Sequence, residues 1–102
     1  MQKGPDSRKY TRAKMAKAIP IRLGSADSEI VSLGFGGLQI KTRAPLSNGT
    51  VFHLDFPLPD GDTPIRVKAK VVYVDREGMG IEFVDLKVRD AERIGVFLLI
   101  NR

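Results

Sequence analysis

The stretch that decides the fold is IRVKAKVVY, residues 65–73, in which apolar and basic side chains alternate. Successive side chains of an extended chain point to opposite faces, so alternate residues share a face. One face carries Ile65, Val67, Ala69, Val71 and Tyr73. The other face carries Arg66, Lys68, Lys70 and Val72. This period of two predicts a β-strand with one buried face and one solvated face.

Shorter stretches on both sides of this strand show a similar pattern. They are Ile19–Leu23, the region of Ile30, Leu38–Ile40, Val51–Phe56 and Met79–Val84. In the stretch Val51–Phe56, the odd-numbered residues, which include His53, are predicted to face solvent. Turn residues divide the stretches at Gly24-Ser25, Ser47-Asn48-Gly49 and Glu77-Gly78. About six short strands separated in this way predict a small antiparallel β-barrel, closed or nearly closed.

The C-terminal part of the sequence changes to a helical period. Residues at the spacing of one helix face are Ala91, Ile94, Phe97 and Leu98. The pattern predicts one helix with Arg89, Asp90 and Arg93 on its opposite side. Gly95 costs such a helix about 1 kcal/mol relative to alanine, so close packing is expected there. The apolar end, residues 97–100, is expected to dock on the barrel, with a partner surface as the alternative. The fold class is therefore mainly β, with one C-terminal helix.

The net charge of +5 is confined to the beginning of the chain. Residues 1–17 contain six basic side chains and one acidic one, whereas residues 18–102 contain eleven of each. Few apolar residues precede Met15, so the first segment has little to bury. We therefore predict a mobile basic tail over residues 1–17 and a barrel with its helix over residues 18–102. Such a tail either improves solubility or binds an anion.

Composition excludes several classes of function. A length of 102 residues allows a single domain. The chain has no cysteine and one histidine, His53, which excludes disulfides, thiolate zinc sites and multi-histidine metal sites. The acidic residues show no spacing that pairs them as acid and base, so we expect no catalytic residues, metal or cofactor. No apolar run approaches the ~20 residues of a membrane span and the N-terminus lacks a signal sequence, which predicts a cytoplasmic protein.

Two short segments have the chemistry of a binding site. The first, Arg8-Lys9-Tyr10-Thr11-Arg12, places two arginines four residues apart, so both can reach one side of a ligand. A guanidinium can grip a phosphate with two hydrogen bonds and stack on an aromatic ring. The second, residues 32–38 (SLGFGGL), has three glycines in four positions, which permit positive φ or close approach of another group. A tight barrel corner or a β-bulge is the purely structural alternative.

The order of these features resembles the PilZ domain family over residues 8–98. Further segments that agree are Gly36-Gly37-Leu38, Leu46–Gly49 and Gly78–Phe83. The resemblance implies binding of the bacterial second messenger cyclic di-GMP, with Arg8 and Arg12 holding phosphates and guanine faces. Lys9 and Tyr10 are candidate secondary contacts.

The family's second motif, Asp or Asn, any residue, Ser, two residues and Gly, maps onto Ser32, Gly34 and Gly37. Ser32 stands in place of the acid or amide, and Gly34 in place of the serine. Two lost hydrogen bonds would weaken binding by roughly 10- to 1000-fold.

The predicted function is therefore a non-enzymatic cyclic-di-GMP receptor. In it, the nucleotide orders the tail and so changes the interaction with an unknown protein partner. The alternative is a degenerate PilZ domain that binds no nucleotide and acts as a protein–protein adaptor in motility or envelope regulation. Binding of nucleic acid is disfavoured because the body of the protein is electrically neutral and its phenylalanines look like core residues.

Overall fold

The structure, a computed structural model, describes residues 12–100, with side chains described from residue 17 onward. It contains six strands and one helix, as predicted. These are β1 (Arg12–Leu23), β2 (Ala26–Gly34), β3 (Gly37–Lys41), β4 (Val51–Phe56), β5 (Ile65–Val74), β6 (Gly78–Asp85) and α1 (Val88–Ile100).

The strands form one antiparallel sheet in the order β1-β2-β3-β6-β5-β4, curled into a half-barrel. The prediction of a small barrel of six antiparallel strands is therefore confirmed, and the barrel is open rather than closed. Within residues 12–100 no pairing joins β1 to β4, so these two strands are the edges of the sheet.

The inner face of the half-barrel holds the hydrophobic core. Phe56 is fully buried, and its ring stacks on that of Phe83 with the centroids 6.3 Å apart. The inward residues predicted from the alternation, Ile65, Val67, Ala69 and Val71, are each at most 2% exposed. Ile94 and Phe97 of α1 belong to the same cluster, so the helix extends the core of the sheet.

The prediction that Tyr73 lies on the buried face of its strand is wrong, because β5 contains a bulge. Val71 pairs with Ile81 and Tyr73 pairs with Gly80, which leaves Val72 as an extra residue. Because one residue is inserted, Tyr73 moves from the inner to the outer face. Its ring lies over Gly80, where an added Cβ would be 2.0 Å from Tyr73 Cε2.

Strand β1 begins at Arg12, six residues before the predicted boundary at residue 18. Residues 12–14 pair with β2, and the register then shifts before Ile19 resumes the pairing. Residues 13–18 (AKMAKA) lack an apolar alternation, which is why the sequence pattern did not include them. Residues 1–11 lie outside the described residues, so the mobility predicted for the tail stays a prediction.

The loop between β4 and β5 is fastened to α1 through Arg93. Its Nε and Nη2 donate to the carboxylate of Asp60 at 3.0 Å each, and Nη2 also donates to the Thr63 carbonyl at 2.7 Å. The hydrogen bond from Arg93 lowers the pKa of Asp60. Arg93 Nη1 lies 3.5 Å from Asp90, which is buried, so the prediction that Asp90 lies on the side of the helix opposite its apolar face is wrong.

The C-terminal end of α1 is divided between core and surface. Phe97 is 7% exposed and packs into the core as expected, whereas Leu99 and Ile100 are 64% and 74% exposed. Gly95 lies close to the ring of Phe35. A Cβ added at this glycine would be only 3.3 Å from Phe35 Cζ. The close packing predicted at this glycine is therefore confirmed.

Candidate ligand-binding site

The second sequence motif forms the corner between β2 and β3. Strand β2 ends at Gly34 and β3 begins at Gly37. A Cβ on Gly37 would lie 1.9 Å from the carbonyl oxygen of Ile81 on β6. The backbone of Gly37 is not in the left-handed region. Close approach of two strands, rather than a positive φ, therefore explains this glycine.

The register between β1 and β2 places the last residue of the tail motif, Arg12, beside the second motif. Arg12 lies opposite Gly34, and Lys14 lies opposite Ser32. The backbone of the second tail arginine is thus a direct cross-strand neighbour of the second motif. Arg8, Lys9 and Tyr10 lie outside the described residues, so their predicted contacts stay predictions.

Three side chains form a hydrogen-bonded row across the outer face, which we call the outer polar row: Ser32, Gln39 and Tyr73. Ser32 is 5% exposed, and its hydroxyl donates to Gln39 Oε1 at 2.9 Å. The amide of Gln39 donates in turn to the Tyr73 hydroxyl. Gln39 lies between the buried residues Leu38 and Ile40, so it faces outward and is half-buried.

The sequence analysis missed Gln39 and Tyr73 as members of this site. The available signal was the polar Gln39 between two apolar residues directly after the glycine corner. Its pairing with Ser32, however, depends on the register shift between Ile30 and Ser32 in β2. Tyr73 reaches the row only because of the bulge in β5.

A cleft of 240 Å³ borders the outer polar row on the side of the turn between β5 and β6. Its ionisable lining consists of Lys41, Tyr73, Asp75 and Glu77. Two carboxylates against one ammonium do not favour a phosphate there.

A model of the PilZ domain family matches residues 6–99 of the 102-residue chain. This protein belongs to the PilZ domain family. PilZ domains are non-enzymatic binding domains, and the family comprises cyclic-di-GMP receptors and adaptors. No curated protein matches the sequence.

Three further residues of this PilZ domain, His53, Asp60 and Asp62, were candidates for a catalytic or metal-binding role. His53 is exposed on β4, as predicted. Asp60 and Asp62, whose spacing has a weak resemblance to calcium ligands, face Arg93 and Arg89 instead. Among residues 12–100, no group of three potential ligands is arranged to hold a metal ion. In the same part of the chain, no helix has the length and hydropathy needed to cross a membrane.

Proposed function

We propose that this PilZ domain is a cytoplasmic receptor for cyclic di-GMP and that its site lies where β1 meets the β2–β3 corner. The single observation that carries the proposal is the pairing of Arg12 with Gly34, because it joins the tail motif to the second motif. The side chain of an arginine has the fork geometry and the charge that a phosphodiester needs.

Binding of the nucleotide would hold residues 8–12 against the outer face and so reshape the surface offered to a protein partner. A dianionic ligand offsets the mutual repulsion of the basic side chains in residues 1–17. The energy for this change comes from the difference in affinity between the two arrangements of the tail.

The decisive test is calorimetric titration of the full chain with cyclic di-GMP, alongside GTP as a matched guanine nucleotide. Saturable binding of cyclic di-GMP, with GTP at least about tenfold weaker, is the expected result. Absence of heat at millimolar nucleotide, with the fold verified by circular dichroism, would overturn the proposal.

Gln39 is the amide best placed to replace the acid or amide that the family carries at the position of Ser32. It is the cross-strand neighbour of Ser32, it is less buried, and its amide has donor and acceptor atoms suited to a guanine edge. We expect Gln39→Ala to weaken cyclic-di-GMP binding by about 2- to 10-fold, the equivalent of one neutral hydrogen bond.

The matched control for Gln39→Ala is Tyr73→Phe, which removes the hydroxyl partner of Gln39 but keeps the amide. Titration of both variants separates a direct contact from a general disturbance of the outer polar row. Equal losses in the two variants would contradict a direct role for Gln39.

One observation favours a second function, that of a PilZ adaptor that binds no nucleotide. Ser32 is covered and its hydroxyl is already donated to Gln39, while Gly34 offers no side chain. The exposed apolar residues at the end of α1, Leu99 and Ile100, would then serve a protein partner in motility or envelope regulation. A partner complex that forms equally well with and without cyclic di-GMP would favour this function over the receptor.

A further inference from the structure

Strand β4 presents an open backbone edge. It pairs with β5 on one side, and within residues 12–100 no strand pairs with its other side. An unpaired edge offers a row of N–H and C=O groups to another strand. The side chains of Val51, His53 and Asp55 beside this edge are exposed.

The direction of these backbone groups follows from the pairing with β5. The Val71 N–H donates to the Thr50 carbonyl at 2.9 Å, so the carbonyl of Thr50 points toward β5. Backbone groups alternate in direction along an antiparallel strand. Those of Phe52, Leu54 and Phe56 therefore also point toward β5, and those of Val51, His53 and Asp55 point outward.

The sequence of β4 is self-complementary about Leu54. When two copies of the strand run antiparallel with Leu54 opposite Leu54, His53 of each copy lies opposite Asp55 of the other, and Phe52 lies opposite Phe56. His53 and Asp55 are the residues whose backbone groups point outward, so they would exchange hydrogen bonds directly.

Neighbouring registers are less favourable. Centring the pair on His53 places two histidines opposite each other, and centring it on Asp55 places two carboxylates opposite each other, and like pairs destabilise a sheet. Pro57 follows the strand and has no N–H, which limits the ladder at that end. The register centred on Leu54 is thus the one in which charge and hydrogen bonding agree.

The surrounding charges fit this register as well. On the outer face of β5, Lys68 lies opposite His53 and Arg66 lies opposite Asp55, with Arg66 Nη1 3.8 Å from Asp55 Oδ2. In the paired arrangement, each Asp55 lies between Arg66 of its own chain and His53 of the second copy. The carboxylate then has a positive or hydrogen-donating neighbour on both sides.

We propose that the β4 edge binds a second copy of this chain, forming a two-fold symmetric dimer with one continuous twelve-stranded sheet. The inference concerns a surface separate from the proposed nucleotide site and does not depend on it. A single short strand gives a small contact, so the dimer is expected to be weak and to exchange rapidly.

The test is sedimentation of the full chain from about 10 µM to about 1 mM, a range that covers weak association. The wild-type chain is expected to shift toward twice the monomer mass as concentration rises. His53→Asp places two carboxylates opposite each other twice, and Asp55→Lys replaces the carboxylate opposite His53 with an ammonium group twice. Each variant alone is therefore expected to dimerise at least about tenfold more weakly.

An equimolar mixture of the His53→Asp and Asp55→Lys chains provides the matched control. In a mixed dimer every cross-strand pair is again complementary, so association is expected to return toward the wild-type level. A wild-type chain that stays monomeric at the highest concentration overturns the proposal. So does a dimer that both single variants leave unchanged, or a mixture that fails to associate.

Discussion

Replacing Arg8 and Arg12 together with alanine is expected to weaken cyclic-di-GMP binding by about 100-fold or more. A hydrogen bond to a charged group contributes about 1.5–3 kcal/mol, and two guanidinium groups supply at least two such bonds. Together they correspond to a factor of at least ~100 in the dissociation constant. Calorimetric titration of the variant against the wild-type chain measures this loss.

The matched control is the variant Lys3→Ala, Lys17→Ala, which removes the same charge from the same segment. If the arginines act through bidentate contacts, this control loses only the long-range attraction, about tenfold or less at physiological salt. Equal losses in the two double variants would mean that the tail contributes charge alone. The role assigned to the Arg-x-x-x-Arg motif would then be wrong.

Gly37→Ala is expected to lower the free energy of unfolding by about 3 kcal/mol or more. The new Cβ would lie 1.9 Å from the Ile81 carbonyl oxygen, a backbone atom that cannot rotate away. Strands β3 and β6 would have to separate, which disturbs the Gly37–Glu82 pairing and the nearby hydrogen bond from Phe83 N–H to the Gly36 carbonyl, 2.8 Å long. Urea denaturation followed by circular dichroism gives the change.

Gly95→Ala is the control for this substitution. Its Cβ would meet only the ring of Phe35, which is 48% exposed and can move aside. Alanine also favours the helix by about 1 kcal/mol, so a neutral or slightly stabilising effect is expected. A Gly37→Ala chain as stable as the Gly95→Ala chain would show that β3 and β6 tolerate separation.

The steric role of Gly37 changes what the second motif says about function. Its glycine is required by the contact between β3 and β6, whether or not a nucleotide binds. The residues that test the proposed binding are therefore the side chains beside it on the outer face, and foremost Gln39. The motif glycine by itself indicates the PilZ fold and does not distinguish a receptor from an adaptor.

The regular alternation of apolar residues made most of the strands predictable from sequence. The positions at which the strand register shifts could not be predicted. The inward residues Ile65, Val67 and Ala69 follow directly from the period of two. The outward turn of Tyr73 does not, because the bulge at Val72 depends on how β5 matches β6. Asp90 was misplaced for a different reason: it lies four residues before Ile94 and seven before Phe97, so the helical period itself places it on the buried face.

The candidate site shows the same limit. Ser32, Gly34 and Gly37 could be located from the spacing of the motif, and Arg12 is their neighbour in the structure. Gln39 carried no spacing that marked it, because its importance comes from the residue across the strand pair. Contacts between strands are set by register, and here local register shifts in β2 and β5 change it at places that the alternation does not mark.

The register shift in β1 divides the strand into two separately held parts. Residues 12–14 pair with residues 32–34, and residues 19–23 pair with residues 26–30. The second part contributes the core residues Ile19 and Ile21. Because a break in the register separates the two parts, each can open without the other, and their amide protons are expected to exchange with solvent at different rates.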